Sequence, residues 1–144
     1  MKKIIGYTTG VFDLFHIGHL NILKRAKENC DELIVGVNTD ELVSSYKSKS
    51  PIIPFEDRIE IIRSLKCVDR AIPVTNRDKI SQYHDIKYNI LFVGDDWKGS
   101  EIFRELEIYL ESHNSKIHYF SYTKDVSSSK FRSLLTELYK LDDK

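Results

Sequence analysis

Five short apolar runs recur along the chain, and a stretch of different spacing follows each one. The runs are KIIGYTT, DELIVGVNT, DRAIPV, YNILFVG and SKIHYFSY. They are nearly continuous in Val, Ile, Leu and aromatic residues, as expected of strands buried on both faces of a sheet. The intervening stretches carry helical spacing. In HLNILKRAKEN the apolar positions are Leu20, Leu23 and Ala26, and in PFEDRIEIIRSLK they are Ile59, Ile62 and Leu65, with Pro54 near the start. RDKISQYHDI, SEIFRELEIYLESH and SSKFRSLLTELYKL complete the set. Strands that alternate with helices pair in parallel, because each crossover returns the chain to the same end of the sheet. The pattern predicts an α/β fold: a Rossmann-like, doubly wound, mostly parallel five-stranded sheet with helices on both faces. SSYKSKSPIIP is the one polar, Ser/Lys-rich loop, and no repeat or low-complexity tract interrupts the alternation.

The 144 residues suit one domain spanning 1–144 with a real core. Lys and Arg number 22, Asp and Glu also 22, so no global charge draws the chain to nucleic acid or an acidic membrane surface. Any anion binding must be local. No basic stripe with interleaved aromatics suggests a nucleic-acid partner. Cys30 and Cys67 form no metal pattern and read as reduced thiols. Lys2 and Lys3 precede an apolar run that Gly6 breaks, too short for a signal segment or a membrane span. The expectation is a soluble, cytoplasmic protein with no membrane partner.

In doubly wound folds, ligands sit beyond the carboxyl ends of the strands, where strand order reverses. The turn after the first strand is TTGVFDLFHIGHL, Thr8 to Leu20. Gly10 lets backbone approach a ligand, and Gly18 lies near the start of the first helix, where N–H groups and the dipole favour phosphate. His16 and His19, three apart, can converge on one spot. The string is neither G-x-G-x-x-G nor a Walker loop; it offers imidazole donors in place of a lysine. A histidine pair at this spacing also suits a metal, but zinc wants further ligands, and Asp13 is the obvious local carboxylate.

The longer string GVFDLFHIGH resembles the G-x-F-D-x-x-H-x-G-H signature of the cytidylyltransferase branch of the nucleotidyltransferase superfamily. Two further matches, in the same order and at similar spacing, extend the resemblance along almost the whole chain. GDDWKG, Gly94 to Gly99, resembles a G-D-D-W-x-G frequent in glycerol-3-phosphate cytidylyltransferases. YTKDVSSSKF, Tyr122 to Phe131, stands where the family has R-T-E-G-I-S-T-T/S-x-I. The resemblance implies transfer of CMP from CTP to a phosphorylated alcohol with release of pyrophosphate, and Mg²⁺ as cofactor.

The chemistry suits these residue types. A phosphomonoester has a second pKa of about 6, so it is already a dianion at neutral pH and needs no general base. Attack on the α-phosphorus is a matter of positioning and of charge on the departing pyrophosphate. By the resemblance, His16, His19 and Lys49 are catalytic. Thr9, Gly10, Val11, Phe12, Asp13 and Gly18 hold the nucleotide from the first loop, Gly94, Asp95 and Asp96 from the second. Thr123, Ser127, Ser128 and Ser129 hold it from the turn before the last helix, itself a ready anion site. Lys47, Arg58, Lys66, Trp97 and Lys124 fall to the acceptor. Lys47 and Lys49 sit on a loop that can close over substrates.

Departures from the family pattern fall at Lys66 and in the C-terminal motif. Lys66 and Tyr122 stand where the family has arginines, and Lys124-Asp125 where it has a glutamate-glycine pair. Lys66 keeps charge without the bidentate fork, and Lys124 restores charge from two positions along. Asp13 and Asp96 are the candidate metal ligands, with the triphosphate holding most of the Mg²⁺ shell.

Glycerol 3-phosphate is the favoured acceptor, which implies CDP-glycerol for teichoic acid or capsule-type polymers. Phosphocholine and phosphoethanolamine enzymes share most of the motifs, and a choline site would need an aromatic cage. Heptose-phosphate adenylyltransferases carry a similar first motif but generally lack GDDW. Outside catalysis, the altered C-terminal motif would suit a nucleotide-binding regulatory module. The family also implies a homodimer, consistent with Leu14, Phe15 and Ile17 beside the first motif.

Overall fold

The computed structural model describes residues 2–121 and 133–138. Strands β1 (Ile5–Gly10), β2 (Glu32–Asn38), β3 (Arg70–Val74), β4 (Ile90–Gly94) and β5 (Lys116–Phe120) form one sheet, ordered β3-β2-β1-β4-β5. Every pairing is parallel. The order reverses between β1 and β4. That is the switch point at which such sheets open a ligand crevice.

Helix α1 (Ile17–Glu28) follows β1, and α2 (Asp40–Tyr46) and α3 (Phe55–Arg63) follow β2. Helix α4 (Lys79–Ile86) follows β3, α5 (Glu101–Glu111) follows β4, and residues 133–138 are helical. Alternate residues of β2 bury opposite faces, as strand geometry requires. Leu33, Val35 and Val37 join Leu23 and Ala26 of α1 and Ile59 and Ile62 of α3 in one layer. Ile34 joins Tyr7, Tyr83, Leu91, Leu106 and Leu110 in the other, beneath α4 and α5. Gly36 is glycine for lack of room: a Cβ there would lie 2.4 Å from Val74 Cγ2 and 2.9 Å from the Tyr7 hydroxyl.

The doubly wound reading therefore holds, with a sheet that is parallel throughout. Its boundaries shift in three places. α1 begins two residues before His19, because His16 is its N-cap. α3 ends at Arg63, so Leu65 reaches the core from beyond the helix. The polar loop begins later than its composition suggests, since Ser44, Ser45 and Tyr46 complete α2. Seven residues with two buried apolar positions, Leu42 and Val43, carry too little periodicity to announce that helix. Thr39 starts it by accepting the Leu42 N–H at 3.2 Å. No described helix is long and apolar enough to cross a membrane.

Candidate active site

The loop from β1 to α1 crosses the switch point, and its backbone is tightly bent. Phe12 and Leu14 both have positive φ, 54° and 50°, which side-chain-bearing residues seldom adopt. The bend turns the Phe12 ring inward, 3.0 Å from where a Cβ on Gly10 would stand. Gly10 thus makes room for the Phe12 ring. Asp13, 2 % exposed, turns inward too. Its two carboxylate oxygens accept the N–H groups of Ile52 (2.8 Å) and Ile53 (2.9 Å). This ties the first motif to the loop that carries Lys47 and Lys49.

His16 and His19 form a reciprocal cap at the start of α1. His16 Nδ1 accepts the Gly18 N–H at 3.0 Å, and His19 Nδ1 accepts the His16 N–H at 3.3 Å. Each bond fixes the tautomer: with Nδ1 accepting, the proton of the neutral ring sits on Nε2. The rings stack with centroids 3.9 Å apart, and Phe15 stacks near His19 at 5.3 Å, with the Phe12 edge at 5.5 Å. Burial lowers both histidines below the usual range. For His19, burial and then the adjacent His16 outweigh Asp13, and its pKa falls to about 4. At neutral pH the pair is two neutral donors whose Nε2–H groups sit at a helix N-terminus.

Lys79 joins this end of the sheet from the other side. Its Nζ donates to Thr9 Oγ1 at 2.9 Å, at the carboxyl end of β1. Burial, and then the charge of Arg77, outweigh Asp78 and bring the ammonium down to about 8. Sequence reasoning passed over this lysine as part of a helix. The signal was its position, the first residue of α4, where the dipole favours acids and disfavours a cation. A cation placed against local preference is a mark of function.

The cytidylyltransferase-like family model matches residues 7–134. The chain belongs to that family. It is 39% identical over 141 residues to a glycerol-3-phosphate cytidylyltransferase of Bacillus spizizenii, covering 96% of this chain and 100% of that one. A glycerol-3-phosphate cytidylyltransferase of Bacillus subtilis is 32% identical over 139 residues, again covering 96% and 100%. Among solved structures, a lipopolysaccharide core biosynthesis protein from Thermoplasma volcanium matches with a TM-score of 0.73 and 34% identity. That match covers 85% of this chain and all of the other.

Within this cytidylyltransferase, the expected residues divide by place. Thr9, Gly10, Val11, Phe12, Asp13, His16, Gly18 and His19 gather on the one loop and helix start. Lys47 and Lys49 lie exposed on the adjoining loop. Gly94 closes β4, and Asp95, Asp96 and Trp97 form a single exposed 3-10 turn after it. The acids do not cap α5; Ser100 does, accepting the Phe103 N–H. Trp97 is not core. It is 43% exposed and stacks on Phe103 with centroids 5.4 Å apart. Thr123, Lys124, Ser127, Ser128 and Ser129 lie outside the described residues.

Two expected acceptor contacts are corrected. Arg58 is 1 % exposed. Its guanidinium donates to the carbonyls of Ile53 (2.9 Å), Val11 (2.7 Å) and Asn38 (2.8 Å) and pairs with Asp40 Oδ1 at 2.6 Å. Four of its five donors are thus committed to protein, and its role is to lock the loops that bear the site. Nor does it pair with Glu56 or Asp57 at the surface, because it points inward from α3. Lys66 lies in the turn between α3 and β3. α3 runs antiparallel to the strands, so that turn falls at their amino ends, away from the His pair.

Among the described residues, no group of three or more His, Cys, Asp or Glu could by itself hold a metal. One or two carboxylates beside substrate phosphates would suffice for Mg²⁺, which keeps most of its waters. The cysteines take no part: burial raises both thiols, leaving them protonated at neutral pH.

Proposed function

We propose that the chain transfers CMP from CTP to glycerol 3-phosphate, giving CDP-glycerol and pyrophosphate. An acceptor phosphate oxygen bonds to the α-phosphorus, and the bond from that phosphorus to the bridging oxygen breaks. The electron pair leaves with pyrophosphate. The observation that carries this reading is the stacked His16–His19 pair at the α1 N-terminus, on the loop that crosses the switch point. The names of the two Bacillus relatives supply the nucleotide and the acceptor.

Neutral imidazoles suit the task. Each can donate Nε2–H to a phosphate oxygen without giving up its proton, and such donors act most strongly where negative charge accumulates. Thr9 and the α1 N-terminus add donors to the nucleotide phosphates. Lys79 and Lys47 offer cations to the acceptor, and Lys49 to the reacting phosphates. Bound Mg²⁺ would neutralise triphosphate charge, with Asp96, on the turn after β4, as its candidate carboxylate; Asp13 is engaged with the loop.

A homodimer is part of the proposal. Ile17 is 54% exposed beside the catalytic helix start, and Ile52 and Ile61 are exposed as well. An open groove of about 470 Å³ lies among Leu14, Phe15, His16, Ile53, Ile61, Leu134 and Leu135. A second copy would cover this apolar surface. The cytoplasm is the proposed location.

The test is pyrophosphate release with Mg²⁺ and either CTP or ATP. Glycerol 3-phosphate, phosphocholine, phosphoethanolamine and a heptose phosphate would be offered as acceptors, with His16→Ala as control. Release with CTP and glycerol 3-phosphate, lost in the variant, is the expected result. Release with another pair would reassign the substrates. Silence with all acceptors from folded protein that still binds CTP would make the chain a regulatory module.

A further inference from the structure

Arg77 stands in the connection from β3 to α4, two residues before Lys79, and its guanidinium lies over the Tyr46 ring, 4.4 Å from the centroid. Tyr46 is the last residue of α2. Its hydroxyl accepts from Asn38 Nδ2 at 3.1 Å, so the ring is fixed to the carboxyl end of β2. Lys47 Nζ lies 6.0 Å from the same ring. Three cations, Arg77, Lys47 and Lys79, therefore crowd one rim of the crevice. Among the acids on these elements, Asp78 is turned to the helix, accepting the Ile80 and Ser81 N–H groups, and Asp40 at the start of α2 is paired with Arg58.

The other tyrosines among the described residues are elsewhere. Tyr7, Tyr83, Tyr88 and Tyr109 pack with one another in the layer under α4 and α5. Tyr119, on β5, donates to Glu107 of α5. An ammonium-bearing acceptor needs open aromatic faces. On this rim the face is already capped by the protein's own guanidinium, and a substrate cation would meet like charge.

We propose that Arg77, seated on Tyr46, is a specificity-determining residue of the acceptor side, favouring a phosphomonoester with an uncharged tail and rejecting one that carries an ammonium group. This rests on the reading that the site transfers a nucleotide to a phosphomonoester. Tyr46 acts through Arg77 and is a positioning residue. For an uncharged-tail acceptor, Arg77 adds attraction to the phosphate. For phosphocholine, that attraction is offset by repulsion of the trimethylammonium group.

The experiment uses the full chain with Arg77→Gln, Arg77→Lys and Tyr46→Leu. It reads the KM of glycerol 3-phosphate, the KM of CTP, and the competitive Ki of phosphocholine against glycerol 3-phosphate. In Arg77→Gln the KM of glycerol 3-phosphate rises about tenfold, the worth of one charge-assisted contact. The Ki of phosphocholine stays near its wild-type value, so the ratio of the two constants falls about tenfold. The CTP KM is unchanged. Arg77→Lys retains most of the discrimination, and Tyr46→Leu loses part of it. An unchanged ratio in Arg77→Gln, or a CTP KM that rises in step, overturns the inference while leaving the proposed reaction intact. A wild-type protein that turns over no phosphomonoester overturns the reaction, and this inference with it.

Discussion

His16 and His19 hold each other's turn: each imidazole Nδ1 accepts a backbone N–H within the segment from His16 to Gly18, and the rings stack 3.9 Å apart. The same two bonds that start α1 therefore decide which ring nitrogen carries the proton. Local folding and catalytic tautomer are one arrangement.

Removing either imidazole removes a donor that acts on developing charge. His16→Ala and His19→Ala should each lower kcat about 10²–10³-fold, the usual effect of deleting one such donor, with a smaller change in the CTP KM. His16 is also the helix cap, so His16→Ala should cost about 1 kcal/mol of stability. His16→Asn separates the roles, because asparagine caps well but places no donor where Nε2 stood. Urea unfolding should return toward wild type in His16→Asn while turnover stays low. Recovered turnover would show that the cap alone matters.

The pH profile follows from Lys79 rather than from the histidines. An ammonium depressed to about 8 loses its charge as pH rises through that value, so kcat/KM for the acceptor should fall on the alkaline side near pH 8. The groups setting that value are burial and Arg77, which lower it, and Asp78, which raises it. On the acid side the fall should track the acceptor's own second ionisation, about 6. His19, at about 4, adds no limb between these. Bound acceptor phosphate favours the charged lysine, so the alkaline limb of kcat should lie above that of kcat/KM. Lys79→Arg should abolish the alkaline limb, whatever rate remains, because guanidinium does not titrate in this range. A limb that survives in Lys79→Arg would assign it to another group.

Legibility in the sequence followed the physical origin of each feature. The strands and the first motif could be read because apolar period and a local string carry them. Arg58 could not be placed, because its partners Val11 after β1, Asn38 at the end of β2 and Asp40 at the start of α2 meet only when the sheet is formed. Its nearest acids in sequence, Glu56 and Asp57, are not its partners. Lys66 misled for the converse reason: spacing along the chain says nothing about which end of the sheet a turn occupies. Lys79 was missed because its meaning lies in a contact with Thr9, 70 residues away.

Arg58 should prove a stability residue. Truncating one member of a buried, hydrogen-bonded ion pair typically costs about 3–5 kcal/mol. The Asp40 side chain is partly exposed, so the lower end applies. Arg58→Ala should therefore lower the urea midpoint strongly, and Arg58→Lys should recover little, because an ammonium cannot reach four acceptors in the guanidinium's fork. Asp40→Asn should cost less, since solvent screens that partner. A stable Arg58→Ala with a raised acceptor KM would instead return Arg58 to the phosphate site.

Asp13 links motif to loop. Its carboxylate bonds Ile52 and Ile53, 39 and 40 residues ahead, and the loop they end begins with Lys47 and Lys49. Asp13→Asn keeps one carbonyl oxygen and presents an NH₂ to the other N–H, so one bond is lost and two donors face each other. Hydrogen bonds to a charged group are worth about 1.5–3 kcal/mol each, so local opening of the loop should become correspondingly easier. Amide exchange at Ile52 and Ile53 should speed up in Asp13→Asn, while Leu33 and Val35 in the sheet interior stay protected. Both substrates should then bind more weakly, because the loop cations are no longer held over the crevice. If exchange at Ile52 and Ile53 is unchanged, the loop is held by its apolar contacts, and Asp13 becomes available as a ligand for Mg²⁺.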